Sequence, residues 1–318
     1  MKLLGISPLT HEWHARRKGA ITATDVPKIL GMSEWGTALE VWGRITGHLD
    51  LQKEDEEKKP WLEWGRRTED MHRRWVADEA GVFISDSPGL VQHPEIPYLL
   101  ATPDGLYGER DEAPTDLAGP LELPWLGVFE TKAPSPWTSF DPKEGAPLAY
   151  QIQVQTQLAV CDLDEAILSS LHWPGPKWAR VEKHDAFQER ALGFVTAFWE
   201  NYVLKDTPPP PTDRDIKVLE RLFPEADGTV IRLGEVVAHD CRRWQEISEQ
   251  LSALNKRTKV LETERGNHRA RITAEIGTGT YGVLGDVIFK AAYVERDGYT
   301  VEPNKYRTFR TVKKITEE

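Results

Sequence analysis

Two short stretches limit what this chain can become: Tyr98-Leu99-Leu100-Ala101-Thr102-Pro103-Asp104-Gly105 and Gly127-Val128-Phe129-Glu130-Thr131-Lys132. The first is an apolar run entering a Pro-Asp-Gly turn, the way a strand ends at a surface, which puts Asp104 at a strand tip. The second reads as a short strand in which Glu130 and Lys132, two residues apart, share one face. Pairing of the two strands would bring two carboxylates and one ammonium together. Facing carboxylates repel unless a cation lies between them, and hard, oxygen-seeking Mg²⁺ suits such a pair beside a phosphate. The lysine would then hold or deprotonate an attacking water. Each motif alone is common, since Pro-Asp-Gly is a frequent turn and Glu-x-Lys a frequent exposed strand face. The remainder of the chain decides between the two readings.

Upstream, Thr10 to Lys18 reads as a helix, and Thr24 reads as the N-cap of a second, short helix that Gly31 stops. A helix N-terminus with an arginine nearby is an anion site, because free N–H groups and the dipole both favour a phosphate; an ordinary capped helix gives the same pattern. Trp35 to Gly47 is a short amphipathic helix closed by Gly47. After the charged, solvated run Lys53 to Lys59, Pro60 opens a helix reaching about Ala80, with Trp61, Gly65, Thr68, His72 and Trp75 along one stripe. Glu69 borders that stripe, one turn after Gly65, whose missing side chain would let Glu69 approach a strand. The polar, Pro-rich segment Glu109 to Pro124 reads as a long hairpin connection, and Pro134 and Pro136 break the chain before Pro147 opens another helix. That helix carries Tyr150, Gln153, Val154, Gln157, Leu158 and Cys161 on one face. A buried amide without a partner is costly, so either a polar structure meets the two glutamines or this side faces solvent.

Pro-Asp followed by Glu-x-Lys resembles the signature of the PD-(D/E)xK nuclease superfamily. The Arg17 then Ile21-Thr22-Ala23-Thr24 pattern, Gly65-x-x-x-Glu69 and Tyr150-x-x-Gln153-x-Gln155 are similar to the lambda-exonuclease or YqaJ-type viral recombinase family. The resemblance reaches to about Lys205. It implies an α/β, restriction-endonuclease-like core, a central mixed sheet flanked by helices, and a Mg²⁺-dependent deoxyribonuclease, with Mn²⁺ as a substitute, that resects duplex DNA ends from 5′ to 3′. By resemblance Asp104, Glu130 and the Thr131 carbonyl hold metal, Lys132 activates water, and Glu69, Gln153 and Tyr150 complete the catalytic shell. Arg17 and Thr24 grip the 5′-phosphate. A ring-shaped homotrimer and an accompanying single-strand annealing protein are further implications.

Composition bounds these readings. The chain has 318 residues, 39% of them hydrophobic and 12 of them tryptophan, enough for one large or two modest domains with a real core. No run approaches the roughly 18 apolar residues of a membrane span, and no signal-peptide core opens the chain, so a cytoplasmic location in a bacterial or phage-infected cell is expected. Cys161 and Cys241 form no C-x-x-C pair, which argues against zinc or an iron–sulfur cluster. The net charge of −11 weighs mildly against a nucleic-acid partner, although an enclosed track needs only local positive potential.

Two strand-like runs, Ala166 to His172 and Lys177 to Glu182, flank the Pro174-Gly175-Pro176 turn, and an amphipathic helix runs from Asp185 to about Leu204. His172 reads as hydrogen-bonded structure rather than as a ligand. The polyproline run Pro208 to Pro211 marks a linker, giving a core 1–206, a linker 207–213 and an appendage 214–318 for assembly, DNA or partner contact. In the appendage Trp244, Ile247, Leu251, Leu254, Thr258 and Leu261 alternate by three and four, a seam for helix packing. Tyr281 to Tyr293 and Tyr306 to Val312 read as a terminal β-hairpin or meander, whose Asp286 and Lys290 fit a solvated face. Two other functions accommodate the same residues: a structure-specific or restriction-like endonuclease, and a non-catalytic DNA-end-binding or assembly protein.

Overall fold

Alternation of side chains along the strand Gly127–Lys132 (β7) sets the layering of the molecule. Val128 and Phe129 point to opposite sides and both are fully buried, so each face must be covered. Helix α5 (Leu148–Cys161) covers one: Ile152, Val154 and Leu158 join Leu106, Val128 and Leu168 in the main core. Helix α4 (Pro60–Ala80) covers the other, with Val76 against Tyr107, Phe129 and Ile167. The computed structural model describes residues 1–49, 60–110, 125–134, 138–171, 175–225 and 228–291. The charged run 53–59, residues 111–124 of the long connection, Pro136, His172, Pro174 and the strand expected at 306–312 lie outside them.

The main sheet has five strands in the order β3 (Val82–Ile84), β6 (Gly105–Glu109), β7, β8 (Glu165–Ser170), β9 (Lys177–Glu182). β6 runs antiparallel to β7 and β8 parallel to it, so the sheet is mixed. Charged Lys177, Arg180 and Glu182 are exposed on the edge strand β9, which discourages further pairing. A second sheet, of four strands, has the order β1 (Lys2–Leu3), β4 (Val91–Gln92), β5 (Leu99–Ala101), β2 (Ile21–Thr22). The apolar run before Asp104 is therefore not the partner of β7. It forms β5, paired with β4 and β2, and the strand that meets β7 begins only at Gly105. Asp104 stands at the entrance of a strand, not at the tip of one.

Capping residues fix the short N-terminal helices. Thr10 accepts from the Trp13 N–H to start α1 (His11–Lys18), and Thr37 with Glu40 forms a reciprocal capping box on α3 (Ala38–Thr46). Gly47 ends α3 at φ 83°, in the left-handed region that glycine enters without strain. Thr24 does not cap α2 (Val26–Ile29): Asp25 holds that position, and Thr24 bonds Thr22 instead. With a single turn of helix behind it, α2 has little dipole to offer an anion.

The boundary expected at the proline run also moves. The chain divides into Met1–Pro224 and Glu225–Glu318. Helix α6 (Asp185–Phe198) continues through a π-helical turn, Trp199–Val203, and the segment after the prolines returns to the first unit. There Asp215 is buried and takes the Thr37 hydroxyl at 2.5 Å, Arg214 donates to the Ser33 carbonyl at 2.6 Å, and Val218 of α7 (Ile216–Leu222) joins the main core. The proline run is a strap on the core rather than its end. The second unit holds α8 (Ala238–Ile276), a single helix of 39 residues, and a hairpin, β10 (Tyr281–Leu284) with β11 (Val287–Lys290). The run from Tyr281 thus pairs with itself, and Asp286 lies in its turn. Ile247, Leu251, Leu254 and Leu261 of the expected seam are exposed. Among the described residues no helix is long and apolar enough to cross a membrane.

Candidate active site

Register brings the acidic residues together. Gly105 lies opposite Phe129, so the next position outward sets Asp104 beside Glu130 on the α5 side of the sheet. Glycine is needed at 105: a Cβ there would come within 2.7 Å of the Ser85 carbonyl oxygen. The Thr131 N–H then donates to Asp104 Oδ2 at 2.8 Å, tying the carboxylate to β7. Asp104 Oδ1 has no donor among the described residues.

Glu130 is 3% exposed, and its charge is met from both sides. Lys132 Nζ donates to Oε1, as does Gln153 Nε2 at 2.5 Å, while Gln157 Nε2 donates to Oε2 at 2.6 Å. Gln153 Oε1 accepts from Lys132 at 3.0 Å, so one amide clamps acid and base together. The glutamine stripe of α5 faces a polar structure, not solvent. Gln157 belongs to this constellation although only its place on the stripe pointed to it; its Oε1 is buried without a hydrogen-bond partner among the described residues. The Lys132 ammonium lies 5.0 Å over the Tyr150 ring.

The electrostatics are lopsided. Burial raises the Asp104 carboxyl well above its ordinary range, and Glu130 and Glu69 push it further against the pull of Lys132. Glu69, half-buried on α4, is raised by burial and then by Glu130; no hydrogen bond links it to the other carboxylates among the described residues. Burial alone would lower Lys132, but Glu130 and Asp104 outweigh it and raise the ammonium. Tyr150 is raised chiefly by burial. Gly65, expected to open a path for Glu69, is not required for space, since a Cβ there would stand 3.8 Å from Ala133, an ordinary contact.

Acidic charge in excess of one lysine is the donor set a divalent cation relieves. Among the described residues no group of three His, Cys, Asp or Glu side chains forms a ready-made cage. Mg²⁺ commonly uses one or two carboxylates and completes its shell with water and substrate phosphate. Asp104 Oδ1 is open to it, and Glu130, with about four acceptor sites against three donors, retains one. The Thr131 side chain turns to the other face, so only its carbonyl is left as a ligand.

That other face holds a residue the sequence did not single out as a site member. His72 of α4 is 2% exposed and bridges the Thr131 hydroxyl through Nδ1 and the Ser169 hydroxyl, at 2.7 Å, through Nε2. Burial lowers its pKa to about 4, so it is neutral. It fixes the residue between Glu130 and Lys132 from beneath. Its place on the buried stripe was legible, its polar partners were not.

Arg17 and Thr24 lie at the other approach. The Arg17 guanidinium stacks 4.2 Å from the Trp13 ring and reaches Thr102 Oγ1 at 3.5 Å, two residues before Asp104. Trp13 Nε1 donates to the same hydroxyl at 3.0 Å. Burial lowers Arg17 to about 10, with Asp25 opposing and Arg44 reinforcing. Asp25 itself is taken by Arg44 at 2.7 Å and by Thr22 at 2.6 Å, which leaves Arg17 most of its donors. Thr24, exposed, bonds Thr22 Oγ1 at 2.9 Å and so reaches Arg17 only through the Asp25 network.

Residues 12–164 match the family described as the YqaJ-like viral recombinase domain. The chain is 24% identical over 283 residues to the uncharacterized protein YqaJ of Bacillus subtilis (strain 168), covering 86% of this chain and 81% of that protein. Among solved structures it is similar to an alkaline exonuclease from Laribacter hongkongensis, with 24% identity, a TM-score of 0.47, and coverage of 67% of this chain and 97% of the other. A phage-related exonuclease from Haemophilus somnus 129PT overlaps at 13% identity and a TM-score of 0.40, covering 58% and 94%.

Proposed function

We propose, from the premise that this chain belongs to the YqaJ-like viral recombinase family through its residues 12–164, that the protein is a Mg²⁺-dependent exonuclease resecting duplex DNA ends from 5′ to 3′. The observation that carries the reading is the meeting of Asp104, Glu130 and Lys132 at the paired ends of β6 and β7, with more acid than base. A Mg²⁺ ion held by Asp104, Glu130 and the Thr131 carbonyl would polarise the phosphate and acidify a bound water.

The chain's own groups position the rest. Glu130 is held by Gln153 and Gln157, and Gln153 aims Lys132. Because its acidic neighbours keep Lys132 protonated, it acts as a donor that orients the attacking water and stabilises charge growing on the phosphate oxygens. Glu69, half-buried and raised by burial and by Glu130, is not tied to Lys132 or to the glutamines by a hydrogen bond among the described residues and serves as the proton acceptor from that water. In-line attack forms the new P–O bond as the bond to the 3′-oxygen breaks, leaving a 5′-phosphate. Arg17, stacked on Trp13 and short of partners, takes the terminal 5′-phosphate with the nearby threonine hydroxyls, which gives the polarity. Mn²⁺ substitutes for Mg²⁺, the working form is a homo-oligomer enclosing DNA, and a single-strand annealing protein takes the product strand.

The test is Mg²⁺-dependent digestion of linear against covalently closed circular duplex by chelator-treated protein. Loss of the linear form alone supports the exonuclease. Cleavage of circles favours an endonuclease with the same site, and no cleavage with retained DNA binding favours a non-catalytic end-binding protein.

A further inference from the structure

Trp35 is a large aromatic residue that neither the core nor the chemistry above uses. It is 58% exposed and stacks on Tyr150, with ring centroids 5.0 Å apart and planes inclined by 14°. With one face against Tyr150, that exposure leaves the opposite face to solvent. Tyr150 in turn has the Lys132 ammonium 5.0 Å from its centroid and Phe140 at 5.4 Å. An open indole face is therefore one ring removed from the lysine, on the scale of a single nucleotide.

The loop that carries Trp35 is anchored on both sides. Its N–H donates to Ser33 Oγ at 3.1 Å, and buried Ser33 is held through its carbonyl by Arg214 at 2.6 Å. Two residues later, Thr37 is fixed by its capping box and by Asp215. A solvent-exposed tryptophan held in place from both flanks is arranged to receive a flat ligand without an ordering penalty at the moment of binding.

We infer that Trp35 is a stacking platform for a nucleobase of the strand being cut, next to the phosphate handled by Lys132. Stacking of this kind is sequence-tolerant, since every base presents a π-face, as a resecting enzyme requires. It also supplies attraction that does not depend on net charge in a chain of −11. The inference rests on the nuclease reading and adds a contact that reading does not contain.

The experiment measures binding of the full chain to 5′-phosphorylated duplex in Ca²⁺, with an abasic nucleotide walked through the first three positions. Wild type is expected to lose about tenfold in affinity at one position, the magnitude of a lost base–aromatic contact. Trp35→Ala should bind intact DNA with the same loss and show no further loss on the abasic substrate, whereas Trp35→Phe should stay near wild type. A 2-aminopurine at that position should be quenched by wild type and not by Trp35→Ala. If Trp35→Ala keeps the full abasic penalty, or wild type shows none at any position, while wild type still binds and cuts DNA, the platform is overturned and the nuclease reading stands. A wild-type chain that neither binds nor cuts DNA overturns both.

Discussion

Asp104 occupies a place where folding and function pull in opposite directions. Burial and Glu130 raise its pKa, so the metal-free folded chain loses stability as pH rises through that raised value; below the ordinary carboxylate range both folded and unfolded forms are protonated and nothing is lost. Asp104→Asn should therefore raise the Tm of metal-free protein at pH 7.5 while eliminating cleavage. Thermal melts should show the gap closing near pH 4, and Mg²⁺ should raise the Tm of wild type but not of Asp104→Asn; a less stable variant at pH 7.5 would contradict the charge excess described here. Arg17 gives a second test, of end recognition. Wild type should digest 5′-phosphorylated duplex faster than 5′-hydroxyl duplex, and Arg17→Ala should erase most of the preference, a loss on the order of 1.5–3 kcal/mol. Equal rates on both ends in wild type would leave the guanidinium without this role. The shared face of Glu130 and Lys132 was legible from their spacing along one strand, whereas Asp104 meets them through a strand that begins only at Gly105. His72 was not legible, because a histidine on a buried stripe reads alike whether its nitrogens meet hydroxyls or nothing, and Ser169 is brought to it only by the parallel pairing of β7 with β8.

Among the elements, α5 holds the Glu130 carboxylate in place, and it does so with neutral side chains. Gln153 and Gln157 are one turn apart and each offers Nε2 to a different oxygen of Glu130. Gln157→Leu keeps the volume but leaves Oε2 of a buried carboxylate without its donor, at about 1–3 kcal/mol for an unmet buried polar group. Part of that loss is offset because the unpartnered Gln157 Oε1 is removed as well. Denaturant unfolding should register a net destabilisation near the low end, with cleavage slowed and Mg²⁺ affinity altered; unchanged cleavage with unchanged stability would show that the Glu130 carboxylate is positioned without it. The periodicity of α5 exposed the glutamines but left their surroundings open, because amphipathic pattern reports which side is inward and not what awaits there. Strand pairing was misjudged for a related reason. The run Leu99–Ala101 has an ordinary strand pattern, but Pro103 removes a donor and a bend intervenes, so the chain leaves one sheet and enters another across Thr102–Asp104.

At the scale of the whole molecule, the proline run misled because stiffness in a sequence marks a change of direction and not a change of domain. Asp215 and Val218 return to the first unit, so a chain ending at Pro224 should unfold cooperatively. A chain ending at Thr207 loses the Asp215 bond to Thr37 and the Arg214 bond to the Ser33 carbonyl and exposes the core under Val218, and should be less stable by several kcal/mol or aggregate. Equal melting of the two would return the boundary to the prolines. The exposed seam of α8 in the second unit suits a homo-oligomer, so the 1–224 chain should sediment as a smaller species than the full chain. The central claim, that Asp104, Glu130 and Lys132 form one phosphodiester-cutting site, is tested most directly by single-turnover digestion of linear 5′-phosphorylated duplex by wild type, Glu130→Gln and Lys132→Ala, with DNA binding followed in the same samples. The expected result is Mg²⁺-dependent release of nucleotides by wild type, and binding without release, at least about 10²-fold slower, in both variants. Mg²⁺-dependent release at the wild-type rate in either variant would contradict it.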